Sequence, residues 1–310
     1  MNKNIISHQE DQNSIDSIVA KIKDRITQKG DQSDASVSEV LAHLNNMKEN
    51  EIGRYLLKNS GGWNGFWTNY FLTFPLRNKF DFYFSHPKDA ELADFEKTLF
   101  SFPLVKATQQ RFQIFLEENQ KLIKEGVVAA AIPSGLLGEL LYLNYTDIRS
   151  CELYAIDLDM ESLMYAKQNA IHCKLDHFVQ YRRKDAWELD YEDKFDFISS
   201  NGLNIYEANE DRVIELYLAF YKAIKSGGKL VTSYIEIPPH LDKNSAVKLD
   251  KLDPESLRLQ KIVMIDILQS TWANFCTQDQ MIKRLEVVGF KNIQIRFDEA
   301  HMFPTVIAEK

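Results

Sequence analysis

The sequence predicts an α/β fold: a doubly wound, mostly parallel sheet that ends in an antiparallel hairpin, preceded by a helical region. Three observations predict it. From Val127 onward, short apolar runs alternate with amphipathic stretches, the pattern of parallel strands joined by crossover helices. Glycine and short polar residues gather directly after those runs, where such sheets bind ligands. Ahead of Gly126, apolar residues recur at helical spacing with no alternation of strand type.

Each element is legible in turn. Residues 1–14 are polar and are expected to be loose. Ile15, Ile18, Val19, Ile22 and Ile26 form a helical stripe that Gly30 closes. Residues 37–58 keep helical period through Val40, Leu41, Leu44, Met47, Ile52 and Leu56. GGWNGFWTNYFLTFP reads as a structured loop or broken helix, and residues 94–100 and 105–124 as helices. This divides the chain into a helical lid or substrate region, 1–122, and a sheet domain, 123–310.

In the sheet domain the expected strands are VVAAAI, CELYAID, HFVQYRR, KFDFISS, GKLVTSYIEI, KNIQIRF and FPTVIAEK. The expected helices between them are GLLGELLYL, ESLMYAKQNAIHC, DRVIELYLAFYKAIK and QDQMIKRLEVVGF. An insertion at about 238–277 carries one further amphipathic helix, residues 254–268, and reads as a cap over the ligand crevice.

Composition excludes several classes. A net charge of -8 and a single short basic run, Arg182-Arg183-Lys184, argue against nucleic acid. Three widely spaced cysteines, Cys151, Cys173 and Cys276, show no metal-binding spacing and suit a reducing compartment. There is no apolar run of membrane-spanning length and no signal-peptide core, so a cytoplasmic protein is expected. Export without a cleaved signal stays compatible with this reading.

Four strand ends carry candidate chemistry. In AIPSGLLGEL, Ser134, Gly135 and Gly138 allow a ligand to approach backbone at a helix start. Asp157 follows Gly135 by 22 residues, where an acid can accept from both hydroxyls of a ribose. Asp159 suits the N-cap of the next helix. Asp185 and Ala186 follow the third strand, with a carboxylate for an exocyclic amine and a backbone N–H for a ring nitrogen. Ser200, Asn201 and Asn204 close the fourth.

Taken in this order, residues 127–235 resemble the class I S-adenosylmethionine-dependent methyltransferases, a Rossmann-like family. KAIKSGGKLVTS also resembles that family's helix–turn–strand with its paired glycines. The resemblance implies S-adenosyl-L-methionine as cofactor. It places the methionine end against the turn of Ser134, Gly135 and Gly138, the ribose on Asp157 and adenine on Asp185 and Ala186, with Leu158 and Asn201 as further cofactor-binding candidates. One departure stands out: the family's first turn opens with an acid, and here Ala131 stands in its place while Pro133 replaces the first glycine. Arg111 is the candidate partner of the cofactor carboxylate, as an upstream arginine is in some relatives.

For the acceptor, Tyr206, Tyr234 and His240 follow strand ends, and Trp67 and Tyr70, with Trp63, are placed to close over the site. His301 is expected to be structural. No general base and no metal is assigned. In-line transfer from a sulfonium needs chiefly alignment and a dry pocket. The expected function is methyl transfer to a small molecule. The alternatives are a catalytically silent binding protein of the same fold, a protein methyltransferase and, more weakly, an NAD-binding protein.

Overall fold

The computed structural model describes residues 5–88, 91–270 and 274–310. Seven strands form one sheet: β1 Val127–Ala131, β2 Cys151–Asp157, β3 Val179–Arg183, β4 Phe195–Ser200, β5 Ile224–Ser233, β6 Lys291–Arg296 and β7 Thr305–Glu309. Their order is β3-β2-β1-β4-β5-β7-β6, with β1 to β5 parallel and β7 antiparallel to both β5 and β6. The order reverses between β1 and β4, so a crevice opens at their carboxyl ends.

Alternation along the strands makes two cores. Ala130, Tyr154, Ile156, Ile198 and Leu230 face one side, where they meet α9 (Glu210–Ala223) and α11 (Gln278–Val288). Val127, Ala129, Leu153, Ala155 and Phe197 face the other, against α8 (Met160–His172) and Phe112. Strands buried on both faces read as continuous apolar runs, which explains VVAAA.

The front of the chain is helical: α1 Ile15–Lys29, α2 Val37–Glu49, α3 Glu51–Lys58, α4 Gly65–Thr73, α5 Asp94–Ser101 and α6 Pro103–Leu122. Residues 37–58 are two helices, not one. Asn50 turns extended (φ -101, ψ 143) and its side chain accepts from Gly53 N, capping α3. Apolar period continues across this break because both helices face the same core, so periodicity alone conceals it. The long α6 packs across β4, β5 and β7 and brings helical residues onto the sheet.

Two further elements differ from expectation. GLLGELLYL forms a single helical turn, α7 (Gly138–Leu141), because Leu137 adopts a left-handed backbone (φ 61) and delays the start. In the 238–277 insertion, α10 (Pro254–Lys261) is α-helical but Ile262–Ile267 continues as a π-helix. This widened turn buries Ile262, Val263, Met264 and Ile267 among Ile22, Leu44 and Met47 of the front helices. Lys261 to Asp34 and Arg258 to Glu39, each at 2.8 Å, border the contact. The insertion thus joins the front helices in one layer.

Residues 5–14, within the stretch expected to be loose, have no helix or strand but make defined contacts. Asp11 N donates to Lys58 O at 2.7 Å, and Lys58 pairs with Glu10 at 2.8 Å.

The turn into β7 depends on one buried acid. Asp298 accepts from the backbone N–H groups of Ala300, Met302 and Phe303 at 3.2, 3.1 and 2.7 Å. His301 lies in this turn and stacks on Phe297 at 4.1 Å between ring centroids. Asp298→Ala should lower stability by about 1–3 kcal/mol, because it strands buried donors. An unchanged urea midpoint would show that the turn holds without it.

Candidate functional site

A cavity of about 350 Å³ lies at the carboxyl ends of β1, β2, β3 and β4, a size suited to a small organic ligand. Its floor is the turn after β1. Gly135 has a left-handed φ of +46 and sends its N–H to Asp157 Oδ2 at 2.9 Å. Ser134 N donates to Ile156 O at 2.9 Å, extending the β1–β2 pairing past the strand. A Cβ on Gly138 would fall 2.7 Å from both Asn69 Oδ1 and Tyr142 Cε2, so only glycine fits where α4 and α7 meet.

Asp157 is buried at the end of β2. Its Oδ1 accepts from Asp159 N at 3.0 Å, and both carboxylate oxygens keep lone-pair capacity. Asp159 itself caps α8, accepting from Glu161 N and Ser162 N, so the two acids divide the roles. Asp185 caps the short turn after β3 by accepting from Trp187 N at 3.0 Å. Trp187 in turn carries Arg212 over its ring at 5.0 Å.

The deep end of the cavity is charged. Arg111, on α6, is buried beneath the β4 and β5 ends. One of its Nη groups donates to Ser233 Oγ at 3.3 Å, and its guanidinium lies 4.8 Å from the Phe303 ring centroid. Asn119, eight residues along and on the same helical face, donates to Ser199 Oγ at 3.0 Å. Glu139 of α7 enters from the other side. Its carboxylate accepts from the Ser199 hydroxyl and the Asn201 side chain.

Burial shapes the ionisation here. Desolvation pushes the Glu139 carboxyl up to about 7, against the pull of Ser199, Asn201 and Arg111. Desolvation also raises Asp157 to about 6, against two backbone N–H bonds from Asp159 and Gly135. Burial lowers Arg111 to about 10, which leaves it cationic near neutrality.

The roof comes from elsewhere in the chain. Gly65, Thr68, Asn69 and Leu72 line the cavity from one face of α4, and Ile5, Ile6, Ser7 and His8 line it from the N-terminal segment. His8 Nε2 is 3.9 Å from Asp159 Oδ2.

Twelve of the residues singled out in the sequence line this one cavity: Trp63, Arg111, Ser134, Gly135, Gly138, Asp157, Leu158, Asp159, Asp185, Ala186, Asn201 and Tyr206. Four others do not. Trp67 and Tyr70 project from the opposite face of α4, where Trp67 meets Tyr55 at 5.8 Å and Tyr70 meets Phe71 at 5.6 Å. Tyr234 shares the α9/α11 side with Leu230 by strand alternation, which leaves Ser233 to meet Arg111. His240 is exposed in the turn after Pro238. Of the other two polar residues noted beyond β4, Ser200 and Asn204 are buried and do not line the cavity.

Sequence reasoning missed Glu139, Ser199, Asn119, Trp187 and residues 5–8. Glu139 had a readable signal: it is the lone charge in LLGELLYL, a run otherwise fit only for burial. The basic run at 182–184 is tied locally, with Lys184 on Asp190 at 2.6 Å and Arg183 Nε on Leu158 O at 3.2 Å. Among the described residues no cluster of His, Cys, Asp or Glu could hold a metal, and no helix is long and apolar enough to cross a membrane.

Comparison with known proteins agrees with this geometry. Residues 134–285 match the family model described as a methyltransferase domain. A crystal structure named as a possible exported protein from Bordetella parapertussis is 35% identical, covers 96% of this chain and 95% of its own, and superposes with a TM-score of 0.88. A candidate O-methyltransferase from Nostoc punctiforme shares the fold at 14% identity and a TM-score of 0.50, over 78% of this chain and 71% of its own. No curated protein matches the sequence. Residues 134–285 thus form a methyltransferase domain, on the Rossmann-like sheet of the class I type.

Carboxyls that hold protons more tightly folded than unfolded stabilise the fold at low pH and forfeit that contribution as pH rises through their folded values. For Glu139 the window runs from its ordinary 4.5 to about 7, and for Asp157 from 3.8 to about 6. Ligand-free protein should therefore lose stability between about pH 4 and 7. Glu139→Gln should flatten the upper part of that decline, as read from urea midpoints across the range. An equally steep decline in the variant would contradict the assignment.

Proposed function

We propose that the chain binds S-adenosylmethionine in this cavity and transfers its methyl group to a small-molecule acceptor. The reading rests on one observation: three consecutive parallel strands deliver Gly135, Asp157 and Asp185 to a shared cavity. The residues present fit the cofactor. At the deep end Arg111 Nε and Asn201 Oδ1 are buried without partners, which suits a charged amino-acid group entering there.

Each residue has a role in this reading. Asp157 accepts from the ribose hydroxyls with Leu158 beside the sugar and base. Asp185 and the Ala186 N–H read the adenine edge. Gly135 and Gly138, with Ser134, let the ligand pass close to backbone, and Arg111 pairs with the terminal carboxylate. When bound, the cofactor supplies a methyl group on a sulfonium sulfur. The chain's share is alignment and exclusion of water, which can contribute several kcal/mol. Tyr206 lines the cavity and remains the acceptor-side candidate, whereas Tyr234, His240, Trp67 and Tyr70 lie off it.

A small acceptor is favoured because residues 5–8 and α4 add walls to a cavity of about 350 Å³. The three cysteines are unbridged, which supports a cytoplasmic site. The exported label of the 35%-identical relative is the observation on the other side.

Asp157→Ala should weaken S-adenosylhomocysteine binding by about 1–3 kcal/mol, through loss of hydrogen bonds to a charged acceptor. Calorimetry checks this, and unchanged affinity with an intact circular dichroism spectrum would remove Asp157 from the site. For the acceptor, labelled S-adenosylmethionine incubated with a cell extract should place label in the metabolite fraction. Label in the protein fraction would favour a protein methyltransferase. Tight cofactor binding with no transfer to either fraction would favour a silent binding protein.

A further inference from the structure

We propose that Glu139 reads the α-ammonium group of the cofactor's amino-acid end, forming with Arg111 a clamp for a zwitterion. The clamp stands in for the acid that β1 lacks. The proposal rests on the cofactor reading above and assigns a positioning residue within it.

The end of β1 offers no charge. Ala131 is 1% exposed and packs among Ala129, Leu153 and Phe197 on the α8 side of the sheet. Glu139 comes to the same region from a different element. It sits eight positions further along, in the first turn of α7, and reaches the cavity wall because Leu137 starts that turn with a left-handed backbone.

The two charges are held apart from other ions. Among the described residues neither Glu139 nor Arg111 has an ion-pair partner within 4 Å, although both are buried. Ser199 and Asn201 hold the Glu139 carboxylate, and Ser233 holds Arg111. A buried charge without a counter-charge is costly. A buried carboxyl, which an arriving ammonium group would hold ionised, and a cationic guanidinium facing one cavity are complementary to a ligand that carries both signs, and an α-amino acid does. The unpartnered Arg111 Nε and Asn201 Oδ1 lie at this same end, one a donor and the other an acceptor. The charged groups that face Glu139 are Arg111 from α6 and, through Arg111, Asp298 from the β6–β7 turn.

A purely structural role for Glu139 is the competing account: it would tie α7 to β4 through Ser199. Gln separates the two, since its carbonyl still accepts from Ser199 but carries no charge for an ammonium group.

The experiment is calorimetry on the full chain with three ligands: S-adenosylhomocysteine, its desamino analogue and 5′-methylthioadenosine, which lacks the amino-acid end. Wild type should bind S-adenosylhomocysteine roughly 10–100-fold more tightly than the desamino analogue, as expected for a hydrogen-bonded charge pair. In Glu139→Gln that preference should collapse, while affinity for 5′-methylthioadenosine stays within about twofold. The wild-type ligand comparison needs no variant, so it stands even where the variant folds poorly. Equal wild-type affinity for the amino and desamino ligands would overturn the proposal, and so would a Gln variant that keeps the preference. Wild type that binds 5′-methylthioadenosine but shows no preference defeats the clamp alone. Wild type that binds none of the three defeats the cofactor reading and the clamp together.

Discussion

The bond from the Gly135 amide to the Asp157 carboxylate holds the site in register. It joins the turn after β1 to the end of β2, at 2.9 Å, and so fixes where the floor of the cavity lies. The neighbouring Ser134–Ile156 bond extends the same ladder. Asn169 of α8 then pins the turn from behind, donating to Leu136 O at 2.8 Å and to the Tyr142 hydroxyl at 2.9 Å. The turn can therefore adopt left-handed backbone at both Gly135 and Leu137 without losing its place. A ligand arriving there meets backbone and a carboxylate that are already positioned, and such preorganisation lowers the ordering cost of binding.

Below this floor the chain keeps charge where packing alone would exclude it. Glu139 and Arg111 sit among Leu136, Phe112 and Ile205 around the cavity. Hydroxyl and amide groups from β4 and β5 hold them in place of ion pairs. Ser199 takes part twice, as donor to Glu139 and as acceptor from Asn119. A network of this kind fixes geometry more than it adds stability, because satisfied polar groups in a low dielectric tolerate few alternative arrangements.

Much of the sheet was legible in the sequence. CELYAID corresponds to β2 residue for residue, and the switch from helical to alternating pattern at Gly126 marks where the sheet begins. Asp157 and Asp159 were separable because one ends a strand and the other precedes a helix. What was not legible has physical causes. Strand alternation decides that Ser233 and not Tyr234 meets Arg111, and the sequence shows the alternation but not its phase relative to the crevice. The same holds for α4, where helical rotation sends Asn69 to the cavity and its neighbours Trp67 and Tyr70 to the front core. Glu139 was hidden by reliance on a motif position: the missing acid was sought at Ala131, while the structure brings a carboxylate in from the next element.

The N-terminal residues that line the cavity carry a practical consequence. Their contacts with the rest of the chain include Asp11 to Lys58, Glu10 to Lys58 and His8 to Asp159, and α4 packs against the front layer. A tag or fusion attached ahead of residue 5 therefore starts close to the cavity, whereas one attached after β7 starts at the opposite edge of the sheet, because β7 runs antiparallel to β5.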